Sequence, residues 1–138
     1  IFAGYVPLQR MASLYAHAAV FVFSSLLEAC PNTLIEAMGC GAAIVASDTE
    51  PNREVAGSAV IWCDGREPGD MARAMLETVR NRAINAKLRA AASERSKRFS
   101  WERSADELVK ALERAHSDYL GPARFHDSVP DRELEFHT

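Results

Sequence analysis

Apolar residues fall along this chain in two rhythms, short unbroken runs and stripes at helical spacing. Three runs, residues 19–23 (AVFVF), 43–46 (AIVA) and 59–63 (AVIWC), carry no polar alternation. Such runs fit strands buried on both faces, as in a parallel sheet. A fourth, residues 1–6 (IFAGYV), ends beside Pro7 and reads as a further buried strand entering a loop.

Between the runs the period changes to that of a helix. Leu8, Met11, Leu14, Tyr15 and Ala18 form one stripe, with Pro7 suited to a first helical position. Met71, Ala72, Met75, Leu76 and Val79 form a second, and Ile84, Leu88, Ala91 and Ala92 a third. The clearest stripe is Trp101, Ala105, Leu108, Val109, Leu112, Ala115 and Tyr119, with Ser100 as a plausible cap and Glu102 in the first turn. Gly121-Pro122 is expected to stop it, and residues 121–138 read as a mobile polar tail. Strands alternating with helices predict a parallel α/β sheet with right-handed crossovers.

Composition narrows this little. The chain of 138 residues is 48% hydrophobic and 25% charged, ordinary for a globular domain with a core. A formal charge of −3 gives no reason to expect nucleic acid as a partner. No apolar run approaches the roughly 20 residues of a membrane-spanning helix. Cys30, Cys40 and Cys63 lack metal-ligand spacing and read as free buried thiols, and four scattered histidines give no zinc pattern, so no metal is expected. The first residue is Ile1 rather than Met, which suggests a piece of something longer.

The chemistry concentrates in residues 24–48, SSLLEACPNTLIEAMGCGAAIVASD. This reads as strand end, loop, helix, glycine turn and next strand. Ligands of open α/β sheets gather at the carboxyl ends of strands, which is where this loop lies. A helix N-terminus seats phosphate, and a carboxylate beside it can accept hydrogen bonds from sugar hydroxyls. Glu28 and Glu36 are the two carboxylates. Pro31 removes one donor, leaving the amides of Asn32, Thr33 and Leu34; Ser24 and Ser25 offer hydroxyls. Thr33-x-x-Glu36 also matches a capping box, in which Glu36 would merely reach back to the Thr33 amide. Asn32 competes for that cap and would free Glu36. Glu28, for its part, could be a solvated loop carboxylate. Gly39 and Gly41 suit a helix C-terminus.

Residues 28–41, EACPNTLIEAMGCG, resemble the donor-site signature of the glycosyl transferases group 1 family. Flanking segments agree: Ala3-Gly4-Tyr5-Val6, Leu14-Tyr15-Ala16, Arg53-Glu54-Val55 with Gly57, and Phe99-Ser100-Trp101-Glu102. The resemblance runs over residues 1–120, with only the tail outside it. It implies a Rossmann-like parallel sheet in three α/β/α layers, the C-terminal half of a GT-B domain and an incomplete one. With residues 1–5 as third strand and 19–23 as fourth, the intervening strands would be missing, leaving a sheet of the three central runs.

The resemblance also implies a function, the donor-binding part of a retaining enzyme that moves a hexose from a nucleotide-sugar to a glycan, lipid or small molecule. Glu28 would face the donor sugar as the catalytic residue and Glu36 would hold the ribose. Cys30, Asn32, Thr33, Leu34 and Ser25 would meet the diphosphate and sugar, and the Val6 backbone the base. Ala29 stands where many members carry glycine. No metal or other cofactor is implied, and no side chain is an obvious covalent nucleophile. The family's diphosphate-binding Arg and Lys would lie upstream, and the acceptor would be bound by an N-terminal domain that is absent, so the chain alone is expected to be inactive. The expected location is cytoplasmic, with association at the inner face of the cell membrane left open. Two other readings remain, a non-catalytic nucleotide-binding or protein-interaction module and a GT-B epimerase.

Overall fold

The computed structural model describes residues 1–119. In order these form α1 (Leu8–His17), β1 (Phe21–Phe23), α2 (Asn32–Gly39), β2 (Ile44–Ser47), α3 (Glu50–Ala56), β3 (Ile61–Cys63), α4 (Pro68–Arg80), α5 (Arg82–Ser96) and α6 (Trp101–Tyr119). The three apolar runs are the three strands, trimmed or shifted by a residue or two. They pair in parallel in the order β1-β2-β3, with Val22 opposite Val45 and Ala46 opposite Trp62. The chain divides into a unit from Ile1 to Ser100 and a second that begins at Trp101, whose described part is α6. The expected Gly121-Pro122 stop and polar tail lie outside the described residues.

Strand alternation sorts the core into two layers. Ile44 and Ala46 face a cluster with Tyr15, Leu34, Ala37, Met38, Val55 and Ala92, contributed by α1, α2, α3 and α5. Val45 and Cys63 face the other way, against Ala74 and Met71 of α4. The sheet is thus the middle of three layers. Every residue of β2 is fully buried, as its unbroken apolar run requires.

The first run is not a strand. Residues 1–5 form no ladder, and Ile1, Phe2 and Tyr5 are fully exposed. A strand needs a partner as well as an apolar pattern, and among the described residues the sheet ends at β1. Pro7 is the N-cap of α1 rather than its first residue. On α4 the buried face is centred on Ala74 and Thr78, while Leu76 and Val79 are about half exposed. Thr78 is tolerated inside because its hydroxyl donates to the Ala74 carbonyl at 2.9 Å.

Two turns fix where α2 sits. At its end Gly41 has φ +67°, its amide donates to the Met38 carbonyl at 3.0 Å, and the Ala42 amide donates to Ala37 at 3.1 Å. That is a Schellman motif, and it identifies Gly41, not Gly39, as the left-handed residue. Arg89 of α5 then reaches the same corner. Its guanidinium donates to the carbonyls of Ala16 and Gly41, both at 2.9 Å, and of Ala18 at 2.5 Å. Its Nε donates to Asn85 Oδ1, and the Asn85 amide in turn donates to the Ala19 carbonyl at 2.8 Å. Helix C-terminal carbonyls and a forked cation are complementary in charge and geometry.

Gly65, just after β3, packs against the carboxyl end of β2. A Cβ there would stand 2.2 Å from Ser47 Oγ and 2.7 Å from Leu26 Cδ2. Gly65→Ala should therefore lower stability by about 1–3 kcal/mol through overpacking, read as a lower urea midpoint with unchanged slope. Arg89→Lys keeps the charge but loses the fork; the expected loss is about 2 kcal/mol. A midpoint equal to the parent's would show that the three carbonyls do not need it.

Candidate functional site

β1 delivers the chain to a loop at the carboxyl edge of the sheet. Ser25 and Glu28 are half-buried there, while Ser24, Leu26, Leu27, Ala29 and Cys30 are exposed. The loop is pinned near its start. Ser25 Oγ donates to the Leu27 carbonyl at 3.3 Å, and the fully buried Asn52 of α3 donates from Nδ2 to the carbonyls of Ser47 at 2.9 Å and Ser25 at 3.4 Å. One side chain thereby ties the end of β2 to the loop that carries Glu28.

The loop ends in α2, whose N-cap is Pro31, with no side chain capping it. The Leu34 and Ile35 amides both donate to the Pro31 carbonyl, at 3.0 and 3.2 Å, and the Asn32 amide donates to Cys30 at 2.9 Å. Neither Asn32 nor Thr33 is the cap, so the capping box does not form and Glu36 does not reach back. The pattern matched, but proline's fixed φ starts the helix early. Of the three amides expected to be open, the Asn32 and Leu34 donors are engaged within the backbone; the Thr33 amide has no backbone partner among the described residues. Asn32 and Thr33 are exposed while Leu34 is fully buried, so its side chain is core. Cys30 Sγ lies 3.6 Å from Asn32 Oδ1.

Glu36 sits on the exposed side of α2, and Tyr15 of α1 donates its hydroxyl to Glu36 Oε2 at 3.5 Å. Burial, and next the negative charge and hydrogen bond of Glu36, raise the Tyr15 phenol above its ordinary value, so it stays a donor. In the sequence Tyr15 reads as part of a helical stripe and of a flanking segment of the resemblance, and Asn52 as a turn residue; neither reads as part of the site. The signals for both are contacts across 21 and 27 residues.

Val6 is half-buried in a groove lined by Ala3, Tyr5, Pro7, Arg10 and Leu14, which takes no residue from 24–36. Residues 24–47 contain no Lys or Arg. At the carboxyl end of β2, Arg53 forks onto Asp48 and lies 5.4 Å from the Trp62 ring. Among the described residues no three His, Cys, Asp or Glu side chains gather as a metal site needs, and no helix is long and apolar enough to cross a membrane. Of the cysteines Cys63 alone is buried, and burial pushes its thiol up; Cys30 is exposed and Cys40 half-buried. The arrangement is a loop bearing Glu28 that leads into the uncapped N-terminus of α2, with Glu36 further along the exposed side of that helix and no Lys or Arg on residues 24–47.

The O-antigen chain mannosyltransferase B of Escherichia coli is 29% identical over 110 residues, covering 80% of this chain and 29% of the relative. The alpha-galactosylglucosyldiacylglycerol synthase of Streptococcus pneumoniae is 34% identical over 110 residues, covering 80% of this chain and 28% of the relative. The chain therefore spans under a third of the length of these two relatives. Among solved structures, sucrose-phosphate synthase from Thermosynechococcus elongatus matches with TM-score 0.76 at 22% identity, over 84% of this chain and 30% of that one. That likeness is of fold, the Rossmann-like architecture of the GT-B class. Residues 1–99 match the description "Glycosyl transferases group 1", and with the signature at residues 28–41 inside that span, the chain belongs to this glycosyltransferase family.

Proposed function

We propose that this chain is the donor-binding part of a retaining glycosyltransferase that transfers a hexose from a nucleotide-sugar to a glycan, lipid or small-molecule acceptor. The observation that carries this reading is the placing of Glu28 and Glu36. They lie on the loop and helix that leave β1 at the sheet's carboxyl edge, and no cap consumes Glu36. Glu36 accepts the ribose hydroxyls and Glu28 faces the sugar. The open Thr33 amide, at the positive end of α2, meets a phosphate oxygen. Ser25, Cys30 and Asn32 line the same rim, and the Val6 backbone takes the base. Two of the relatives' names support the substrate class, one a mannosyltransferase and one a diacylglycerol glycoside synthase.

Catalysis in such a site rests on placing the donor and stabilising the departing diphosphate, without a resident metal. Neither carboxylate can neutralise a diphosphate, so cationic groups outside residues 24–47 complete the cleft. The 138-residue chain alone is expected to show no transfer. One feature favours a second reading, a binding module without turnover: the rim itself carries no Lys or Arg.

Calorimetry and turnover assays of the full-length protein with UDP-, GDP- and ADP-sugars separate the two. Glu36→Ala should weaken binding of the accepted nucleotide about tenfold, near 1.4 kcal/mol. Glu28→Ala should leave nucleotide affinity nearly unchanged and lower kcat by about 100-fold or more. Variants that bind and turn over like the parent would overturn the assignment. Binding without any transfer by the parent would favour the module.

A further inference from the structure

We propose that Tyr15 is the positioning residue for Glu36, holding one carboxylate oxygen so that the other faces the ribose hydroxyls. The proposal rests on the ribose role given to Glu36 above. The phenol ring is fixed before any ligand arrives. Tyr15 is 5% exposed, and its ring meets Phe21 edge-on, with centroids 5.1 Å apart and planes at 80°. The backbone behind it is fixed as well, because Arg89 binds the carbonyls of Ala16 and Ala18 at the end of α1 and of Gly41 at the end of α2. The two helices that carry Tyr15 and Glu36 thus share one clamp.

Glu36 has no such constraint of its own. Among the described residues the Tyr15 hydroxyl is the one side-chain hydrogen-bond partner of its carboxylate, and no ion pair reaches it. An exposed glutamate samples several rotamers, and each must be given up when it binds. A donor at Oε2 selects among them and leaves Oε1 with its lone pairs free, which suits a pair of neighbouring hydroxyls. At 3.5 Å the bond is long, as catalytic and binding contacts often are before the ligand tightens them. A phenylalanine would fill the same apolar space. The hydroxyl is what the packing does not need.

The test uses the full-length protein, with UDP, GDP and ADP as probes, each against its 2′,3′-dideoxy counterpart. Tyr15→Phe should weaken the ribonucleotide that the parent binds about fivefold and leave its dideoxy counterpart unchanged. Added to Glu36→Ala it should cost nothing further, since the two act as one unit. If Glu36→Ala weakens the ribonucleotide but Tyr15→Phe does not, the positioning role fails and the ribose reading stands. Equal losses on both nucleotides from Tyr15→Phe would assign it a general packing role and overturn the proposal. If Glu36→Ala leaves ribonucleotide affinity intact, or the parent binds none of the three probes, both readings fall. Should Tyr15→Phe fold poorly, ring-fluorinated tyrosine at this position is the second variant. It keeps the packing and strengthens the donor, so ribonucleotide affinity should hold or rise; a loss confined to the ribonucleotide would overturn the proposal.

Discussion

Arg89 reaches from the middle of α5 to three carbonyls contributed by the ends of two other helices, and the placing of α1 against α2 depends on it. The last carbonyls of a helix have no intrahelical partners, and when the end is half-buried water cannot serve them freely. A guanidinium supplies several donors in one plane, so a single side chain can serve both helices at once. Arg95 repeats the device nearly two turns further along α5, donating to the carbonyls of Glu54 and Val55 at the end of α3. α5 is therefore a buckle on the outer side of the layer, and Arg89 and Arg95 each close the C-terminal end of a neighbouring helix.

This has a consequence at the opposite pole of α2. With its negative end met by the Schellman turn and Arg89, the helix is left with an uncapped N-terminus at the sheet's carboxyl edge. A helix that ends in a cation at one pole and in solvent at the other presents its positive partial charge outward. Pro31 sets this up. It starts α2 by geometry rather than by a side-chain oxygen, so no serine, threonine or asparagine side chain covers the Thr33 amide that a ligand would use.

The sequence made the sheet legible because β1, β2 and β3 are apolar runs buried on both faces, a pattern that needs no knowledge of partners. It misled at residues 1–6, where the same apolar character exists and, among the described residues, nothing pairs with it. On α4 it read the hydrophobic stripe off Leu76 and Val79, but the buried line runs through Thr78, whose hydroxyl is satisfied by its own helix. The loop after β1 and its two glutamates were visible as a family signature. Their supports were not, because Asn52, Arg89 and Tyr15 act across 21 to 73 residues and look locally like a turn residue, a solvated cation and a core aromatic.

Those supports also separate the two carboxylates physically. Glu36 stands on a helix fixed at both ends by backbone geometry and touched by a buried phenol. Glu28 stands on a loop tied to the rest of the fold by the Asn52 amide at Ser25, three residues before it, and stiffened by the Ser25 hydroxyl on the Leu27 carbonyl. A carboxylate with one oxygen held by a buried partner loses less freedom on binding and suits constant recognition of a part common to every nucleotide donor. A carboxylate on a pinned but exposed loop can follow a sugar whose ring changes shape during transfer. The difference in mounting matches the difference in proposed role, ribose for Glu36 and the reacting sugar for Glu28. It does so without appeal to the spacing that first drew attention to the pair.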